Sequence, residues 1–142
     1  MKIVKAKNTD LENIVLLDKE MIGTDRRKVE IEEAIGQSRC LLVFEESELA
    51  GFLIYHTSFF ECCFISLIMI KPSFQRRGIA SSLLSHMADI SSTEKLFSST
   101  NQSNDAMHKV FEANGFTKSG FIDNLDEGDP EIIYFIGKRG EG

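Results

Sequence analysis

Seven residues from Phe64 to Ile70, FISLIMI, carry no charge, and the chain changes character at Pro72. An uninterrupted apolar run of this kind predicts a strand covered on both faces, in the middle of a sheet. Proline cannot donate to a ladder, so Pro72 ends it. After Gln75-Arg76-Arg77-Gly78, apolar residues return at Ala80, Leu83, Leu84, Met87 and Ala88, the spacing of one buried helix stripe. Upstream, the alternation from Lys2 to Lys7 predicts a half-exposed first strand. Thr9 and Glu12 stand as a capping box for a helix whose first turns hold Leu11, Ile14, Val15 and Asp18. Gly23-Thr24 interrupts it. A second, charged helix is predicted from Asp25 to Ile35, with Ile31, Ala34 and Ile35 facing inward, Gly36 at its end and its charges on a solvated face.

Cys40 to Phe44 and Leu49 to Ser58 flank the polar turn Glu45-Glu46-Ser47-Glu48 and predict a hairpin. Phe59-Phe60-Glu61 then leads into the apolar strand. Beyond the helix after Gly78, Ser91-Ser92-Thr93 is a loop and Lys95 to Thr100 a fifth strand, parallel to the fourth through a right-handed crossover. Asn104 heads a further helix with Met107, Val110, Phe111 and Asn114 along one side and Gly115 as its stop. Phe116 to Ile122 and Ile132 to Ile136 predict two closing strands around the acidic loop Asp123 to Glu131, and the tail Gly137 to Gly142 is expected to fray.

The turn before the third helix carries the first candidate chemistry. The opening N–H groups of a helix lack internal acceptors, the macrodipole is positive there, and Gly78 lets a ligand approach the backbone. Arg76 and Arg77 add positive charge, so a diphosphate would use the whole turn. An ordinary helix start with solvated arginines would have the same sequence.

Composition narrows the class. The 142 residues, 42% hydrophobic and 27% charged, predict one globular domain over 1–142. No apolar run approaches the roughly 20 residues of a membrane span, and the start lacks a signal-peptide core, so a cytoplasmic protein is expected, without membrane partners. Cys40, Cys62 and Cys63 form neither a disulfide framework nor a zinc spacing and are read as reduced core thiols. No His/Cys/Asp cluster implies a metal. A net charge of −6 argues against nucleic-acid partners.

Gln75, Gly78 and Ala80 match Q/R-x-x-G-x-G/A, and Ser103-Asn104, the helix through Phe111 and Glu112-Ala113-Asn114-Gly115-Phe116 follow in order. Together they resemble the GNAT superfamily of N-acetyltransferases over nearly the whole chain. The resemblance implies an α/β (α+β) fold with a mixed, mostly antiparallel sheet of about seven strands and about four helices, strands 4 and 5 parallel and splayed. It implies acetyl-CoA as co-substrate. Its pantetheine arm would pair with the backbone of Ile68, Met69 and Ile70, its phosphates with Gln75, Arg76, Arg77, Gly78, Ile79, Ala80 and Ser81, and Asn104 would add a side-chain hydrogen bond.

The same resemblance implies direct attack by an acceptor amine on the thioester in a ternary complex. Many relatives carry a Tyr as acid where this chain has Phe111, and relatives with a Glu on the fifth strand contrast with Ser99 here. Tyr134 is a candidate acid, beside water or another donor, and Glu131 and Glu61 remain candidate bases by default, beside a water chain. His86 and His108 are expected to face solvent, and His56 could face either way. The acceptor is a primary amine of a small molecule or peptide, and the acidic loop suits a cationic one. Two other readings stand: a non-catalytic acyl-CoA-binding module, and an interaction protein such as half of a homodimer formed through the last strands.

Overall fold

The computed structural model describes residues 1–137; the expected frayed tail, apart from Gly137, lies outside them. Seven strands follow the order β1-β2-β3-β4-β5-β7-β6 in one mixed sheet. They are β1 (Lys2–Lys5), β2 (Cys40–Glu45), β3 (Glu48–Phe59), β4 (Cys62–Ile70), β5 (Lys95–Asn101), β6 (Thr117–Ile122) and β7 (Glu131–Gly137), with helices α1 (Leu11–Ile22), α2 (Lys28–Gly36), α3 (Ile79–Ile90) and α4 (Asp105–Ala113). The chain divides into two compact units, Met1–Tyr55 with Leu67–Ile79, and His56–Ser66 with the segment from Ala80 on.

In the first unit, α1 and α2 cover the β1–β3 strands. Ile14, Leu17, Ile31, Ala34 and Ile35 meet Cys40, Leu42, Phe52 and Ile54 in a closed apolar cluster. The entry to α1 differs from the Thr9–Glu12 capping box. The chain makes a 3-10 turn over Asn8–Asp10, and the Asp10 carboxylate accepts from the Lys7 N–H at 2.8 Å. α2 starts three residues later than expected because Asp25 to Arg27 is taken up by a turn, closed by the Lys28 N–H on the Asp25 carbonyl. One of its supposed solvated charges has a buried purpose. Arg27 donates from Nη2 and Nε to the two Asp18 oxygens at 2.6 and 3.1 Å, and Asp18 is only 1% exposed. A bidentate pair of this kind ties α1 to the start of α2.

The predicted hairpin turns at Glu46 and Ser47, both with positive φ (51° and 70°), the sense of turn that matches the strands' twist. A second two-residue turn between β3 and β4 uses Phe60 and Glu61 (51° and 65°) without any glycine. Gly51 on β3 answers a different need. A methyl group there would collide with the Met69 carbonyl oxygen and lie 2.9 Å from Ile70 Cδ1, so β4 can approach only a residue without a side chain.

The second unit holds the parallel pair. β4 and β5 share three register pairs, Cys63↔Leu96, Phe64↔Phe97 and Ile65↔Ser98, and the buried Ser98 Oγ donates to the Ile65 carbonyl at 2.9 Å. Thr93 starts the pair: its Oγ1 accepts from the Cys63 N–H at 3.0 Å and donates to the Lys95 carbonyl. The ladder stops at Ile65 while β4 runs on to Ile70. β7 pairs antiparallel with β5 along its whole length and with β6 on its other side. Against these strands α4 presents Phe111, whose ring stacks on Tyr134 (4.6 Å, 19°) and meets Phe116.

The expectation that β4 is covered on both faces needs correction. Cys63 and Ile65 are buried, Ser66 is exposed, and Leu67 to Ile70 are all half-buried. Phe64, inside the β5 ladder, is half-buried as well, and past Ile65, the last ladder residue, no β4 residue is fully buried. The three cysteines are free thiols; Cys40 and Cys63 are buried, and burial pushes the Cys40 thiol up to about 12.

Candidate active site

In the first unit the segment from Lys71 to Ile79 forms the turn that leads into α3. Lys71 anchors its beginning: its N–H donates to the Ala50 carbonyl at 2.7 Å and its ammonium to Glu48 at 2.6 Å, a bond that raises its pKa. Pro72–Phe74 is a short 3-10 turn with Phe74 buried. Gln75 Nε2 then donates to the Ile70 carbonyl at 3.1 Å, which brings the predicted phosphate turn and the predicted pantetheine strand together.

Two of the next three residues are left-handed, Arg76 at φ +63° and Gly78 at +79°. Gln75 before them is extended (φ −68°, ψ 156°), and the turn runs directly into the N-terminus of α3, whose first N–H groups lack intrahelical acceptors. Gly78 supplies its conformation at no steric cost, whereas Arg76 holds a conformation that costs an L-residue roughly 1–2 kcal/mol. A Cβ on Gly78 would meet nothing within 4 Å, so the glycine is needed for its backbone conformation and not for lack of room. The Arg77 guanidinium lies 5.1 Å over the Phe74 ring, which fixes one of the two charges.

The remaining candidates belong to the second unit. Ser81 Oγ accepts from Asn114 Nδ2 at 3.0 Å, tying the first turn of α3 to the end of α4. Asn104 is the N-cap of α4, its Oδ1 accepting from the Met107 N–H at 3.2 Å, and its exposed Nδ2 has no hydrogen-bond partner among the described residues. Glu131 opens β7, half-buried, with Oε2 accepting from Ser99 Oγ at 2.7 Å. Tyr134, three residues on, points to the opposite face and is fully buried. The structure therefore does not bring the two candidate catalytic residues together.

Tyr134 is engaged with a residue expected at the surface. Its hydroxyl lies 2.6 Å from His108 Nδ1, while His108 Nε2 lies 3.1 and 3.0 Å from the Asn101 and Gln102 carbonyls. Carbonyls only accept, so Nε2 carries the proton and Tyr134 donates to Nδ1. Burial, and then Glu112, raise the Tyr134 pKa. His108 is thus half-buried and pins the end of β5, contrary to the solvent-facing reading; His86 is half-buried as well. Glu61, the other candidate base, sits exposed in the β3–β4 turn.

The acidic loop is also fastened to the end of β5. Asn101 Nδ2 donates to Asp126 at 2.8 Å, and the Ser103 N–H and Oγ donate to the Asp129 carboxylate at 3.0 and 2.6 Å. The Gln102 N–H reaches the Pro130 carbonyl at 2.8 Å. Sequence reasoning missed Gly51, the left-handed Arg76, His108 and the Ser99–Glu131 pair. Only Gly51, a glycine inside an apolar strand, carried a signal that could have been read.

Strands β4 and β5 are parallel and joined by α3, whose N-terminus follows the glycine turn, an arrangement that suits an anionic ligand. Residues 9–116 match the model of the acetyltransferase (GNAT) family, and the chain belongs to that family, acyltransferases that use acetyl-CoA. A GNAT-family acetyltransferase from Bacillus cereus is 52% identical, with a TM-score of 0.93 over 96% of both chains. The ribosomal-protein-S18-alanine N-acetyltransferase of Escherichia coli shares the fold at 19% identity (TM-score 0.79, 99% of this chain and 96% of that one). So does a spermidine N-acetyltransferase chimera from Vibrio cholerae (19%, TM-score 0.78, 97% and 96%). Among curated proteins nothing matches significantly. Among the described residues no group of three or more His, Cys, Asp or Glu could hold a metal ion, and no helix is long and apolar enough to cross a membrane.

Proposed function

We propose that the protein transfers the acetyl group of acetyl-CoA directly to a primary amine of a small cationic molecule or a peptide, within a ternary complex. The observation that carries this reading is the left-handed Arg76–Gly78 turn at the head of α3, hydrogen-bonded through Gln75 to the half-exposed end of β4. In this reading the N–H groups of the turn and of the first turn of α3 hold the diphosphate, with Arg76 and Arg77 adding charge. The backbone of Ile68 to Ile70 pairs with the pantetheine arm, and Asn104 Nδ2, free of its capping duty, donates a further hydrogen bond. Acetyl-CoA supplies an activated carbonyl carbon. An alkylamine has a pKa of about 10.4, so roughly one molecule in a thousand is neutral near pH 7, and a base must raise that fraction. The buried Tyr134 hydroxyl, committed to His108, serves the packing of α4 in this reading and leaves Glu131 as that base.

Thermal unfolding with and without acetyl-CoA and desulfo-CoA tests the binding half, and thiol release across a panel of amines tests the transfer. A ligand at 100 times its dissociation constant should add about 2.7 kcal/mol of stability. Absence of any stabilisation at saturating acetyl-CoA would sink the proposal. Stabilisation without amine-dependent thiol release would leave a binding module.

A further inference from the structure

Phe59, Phe64, Phe97 and Phe135 make a row of rings in the second unit. Phe64 stands level with Phe97 in the parallel pair, and Phe97 opposite Phe135 in the antiparallel one. Ring centroids are 4.6 Å apart from Phe59 to Phe64, 5.2 Å from Phe59 to Phe97 and 5.8 Å from Phe97 to Phe135, and all four rings are half-buried. On β5, Phe97 shares its half-buried face with Ser99 and Asn101 and with the exposed Lys95, whereas Leu96, Ser98 and Thr100 are buried. Tyr134, which stacks on Phe111 of α4, adjoins Phe135 in the strand, so α4 packs on the face turned away from the rings.

At the end of the row stands Phe60, 87% exposed and left-handed at φ +51°. Among the described residues its only ring contact is an edge-on approach to Phe59 at 5.1 Å. An Asn-Gly pair would close such a turn without steric cost, so a bulky ring here is unfavourable twice, in its dihedral and in its hydration. Glu61, also left-handed and exposed, follows it. The Cys63↔Leu96 register sets Glu61 and Cys62 level with Glu94 and Lys95, so exposed charges of both signs lie at this end of the row.

We propose that this end of the ring row is a self-association surface whose occupant is a second copy of the chain. An apolar centre with both signs of charge at its edge is complementary to itself. A two-fold axis beside Phe60 sets Glu61 of each copy against Lys95 of the other and lays each Phe60 on the other copy's rings. An acidic or a basic partner would satisfy one sign and be repelled by the other. Phe60 exposes most of an aromatic side chain's roughly 150–250 Å², and the half-buried rings add less, which falls short of the about 800 Å² per partner of a tight complex. The dimer is therefore weak and concentration-dependent, with a Kd of about 10–100 μM. It leaves the β6 edge free, unlike a dimer formed through the last strands.

Sedimentation equilibrium of the full-length protein from about 1 μM to about 1 mM brackets the expected Kd. Phe60→Asn puts a residue that accepts the left-handed region in the turn, so thermal stability should hold or rise while the dimer weakens at least about 100-fold, two rings being lost from each interface. Glu61→Lys and Lys95→Glu, each alone, should weaken the dimer about five- to tenfold, and the double variant should return to within about threefold of the parent because its charge pairs are restored in reverse. Added salt should shrink the charge effects and leave the Phe60→Asn loss unchanged. A parent that stays monomeric at the highest concentration overturns the proposal. So does a dimer that Phe60→Asn leaves intact, which would put the contact elsewhere on the molecule, and so does a double charge variant no tighter than the single ones.

Discussion

The turn from Gln75 to Gly78 and the end of the β5–β7 pair are built from different materials. The first is a backbone device: two left-handed residues, a helix start and a side chain that bonds a carbonyl five residues back. The second is a side-chain device, in which Ser99 and Glu131, 32 residues apart, meet only because β7 lies beside β5 in a fixed register. A backbone device tolerates most side-chain changes and fails when a dihedral is forbidden. A side-chain device fails at isosteric replacements that leave the fold intact. That contrast can be tested on each side.

The largest effect belongs to Gly78→Val. A β-branched residue at φ +79° costs about 1–3 kcal/mol and drives the turn out of its left-handed conformation, although the new side chain would meet no neighbour. Acetyl-CoA should bind at least 100-fold more weakly in a thermal-shift titration, with the protein still folded. An unchanged affinity would mean that the Gly78 turn plays no part.

Gly51→Ala comes next. The added methyl strikes the Met69 carbonyl, and backbone has less room to yield than a side chain, so a loss near 3 kcal/mol is expected, the upper end for overpacking. Denaturant unfolding reads that loss directly. Because the struck strand is the proposed pantetheine partner, acetyl-CoA affinity should fall with it. A stable variant with full affinity would show that β4 can slide away without consequence.

In the other region Tyr134→Phe removes the donor to His108 and leaves a half-buried acceptor unpaired, at a cost of about 1 kcal/mol, the lower end for such a loss. Its kcat should stay within about threefold, because the hydroxyl faces α4 and not the half-buried face of Glu131. The pH dependence adds a signature. A tyrosine whose pKa is raised on folding contributes stability that is complete below its unfolded value, about 10, and is lost as pH climbs through the folded one. Stability measured between pH 9 and 11 should therefore fall less steeply in Tyr134→Phe than in the parent.

The difference in materials also explains what could be read in advance. Local signals sufficed for the strands, the α3 stripe, the Asn104 cap and the Gly78 turn, since each depends on residues a few positions apart. The placement of β7 between β5 and β6 is a matter of strand order, which no local pattern encodes, and with it went the Ser99–Glu131 and Tyr134–His108 contacts. The fourth strand was misjudged for a related reason. Absence of charge says that Phe64 to Ile70 can be buried; of these only Ile65 is, and the strand past it is half-buried or exposed. Asp18 was missed differently: a carboxylate among apolar positions reads as an irregularity until Arg27, nine residues on, turns back to meet it.

The smallest effect is the most discriminating for the turn itself. Arg76 contributes both a charge and a costly dihedral, and the two can be separated. Arg76→Gly removes the charge and relieves the strain at φ +63°, at the expense of a more flexible unfolded chain, so stability should rise by no more than about 1 kcal/mol. Arg76→Ala removes the same charge and keeps the strain, so its stability should match the parent's. If the charge is what Arg76 offers the diphosphate, both variants should weaken acetyl-CoA binding by the same few-fold factor and lose the salt dependence of that share. If the dihedral is what matters, Arg76→Gly alone should bind differently, because a glycine can leave the left-handed region that the alanine is forced to keep by the turn around it. Equal stability and equal affinity in all three proteins would leave Gly78 and the helix start to hold the anion alone.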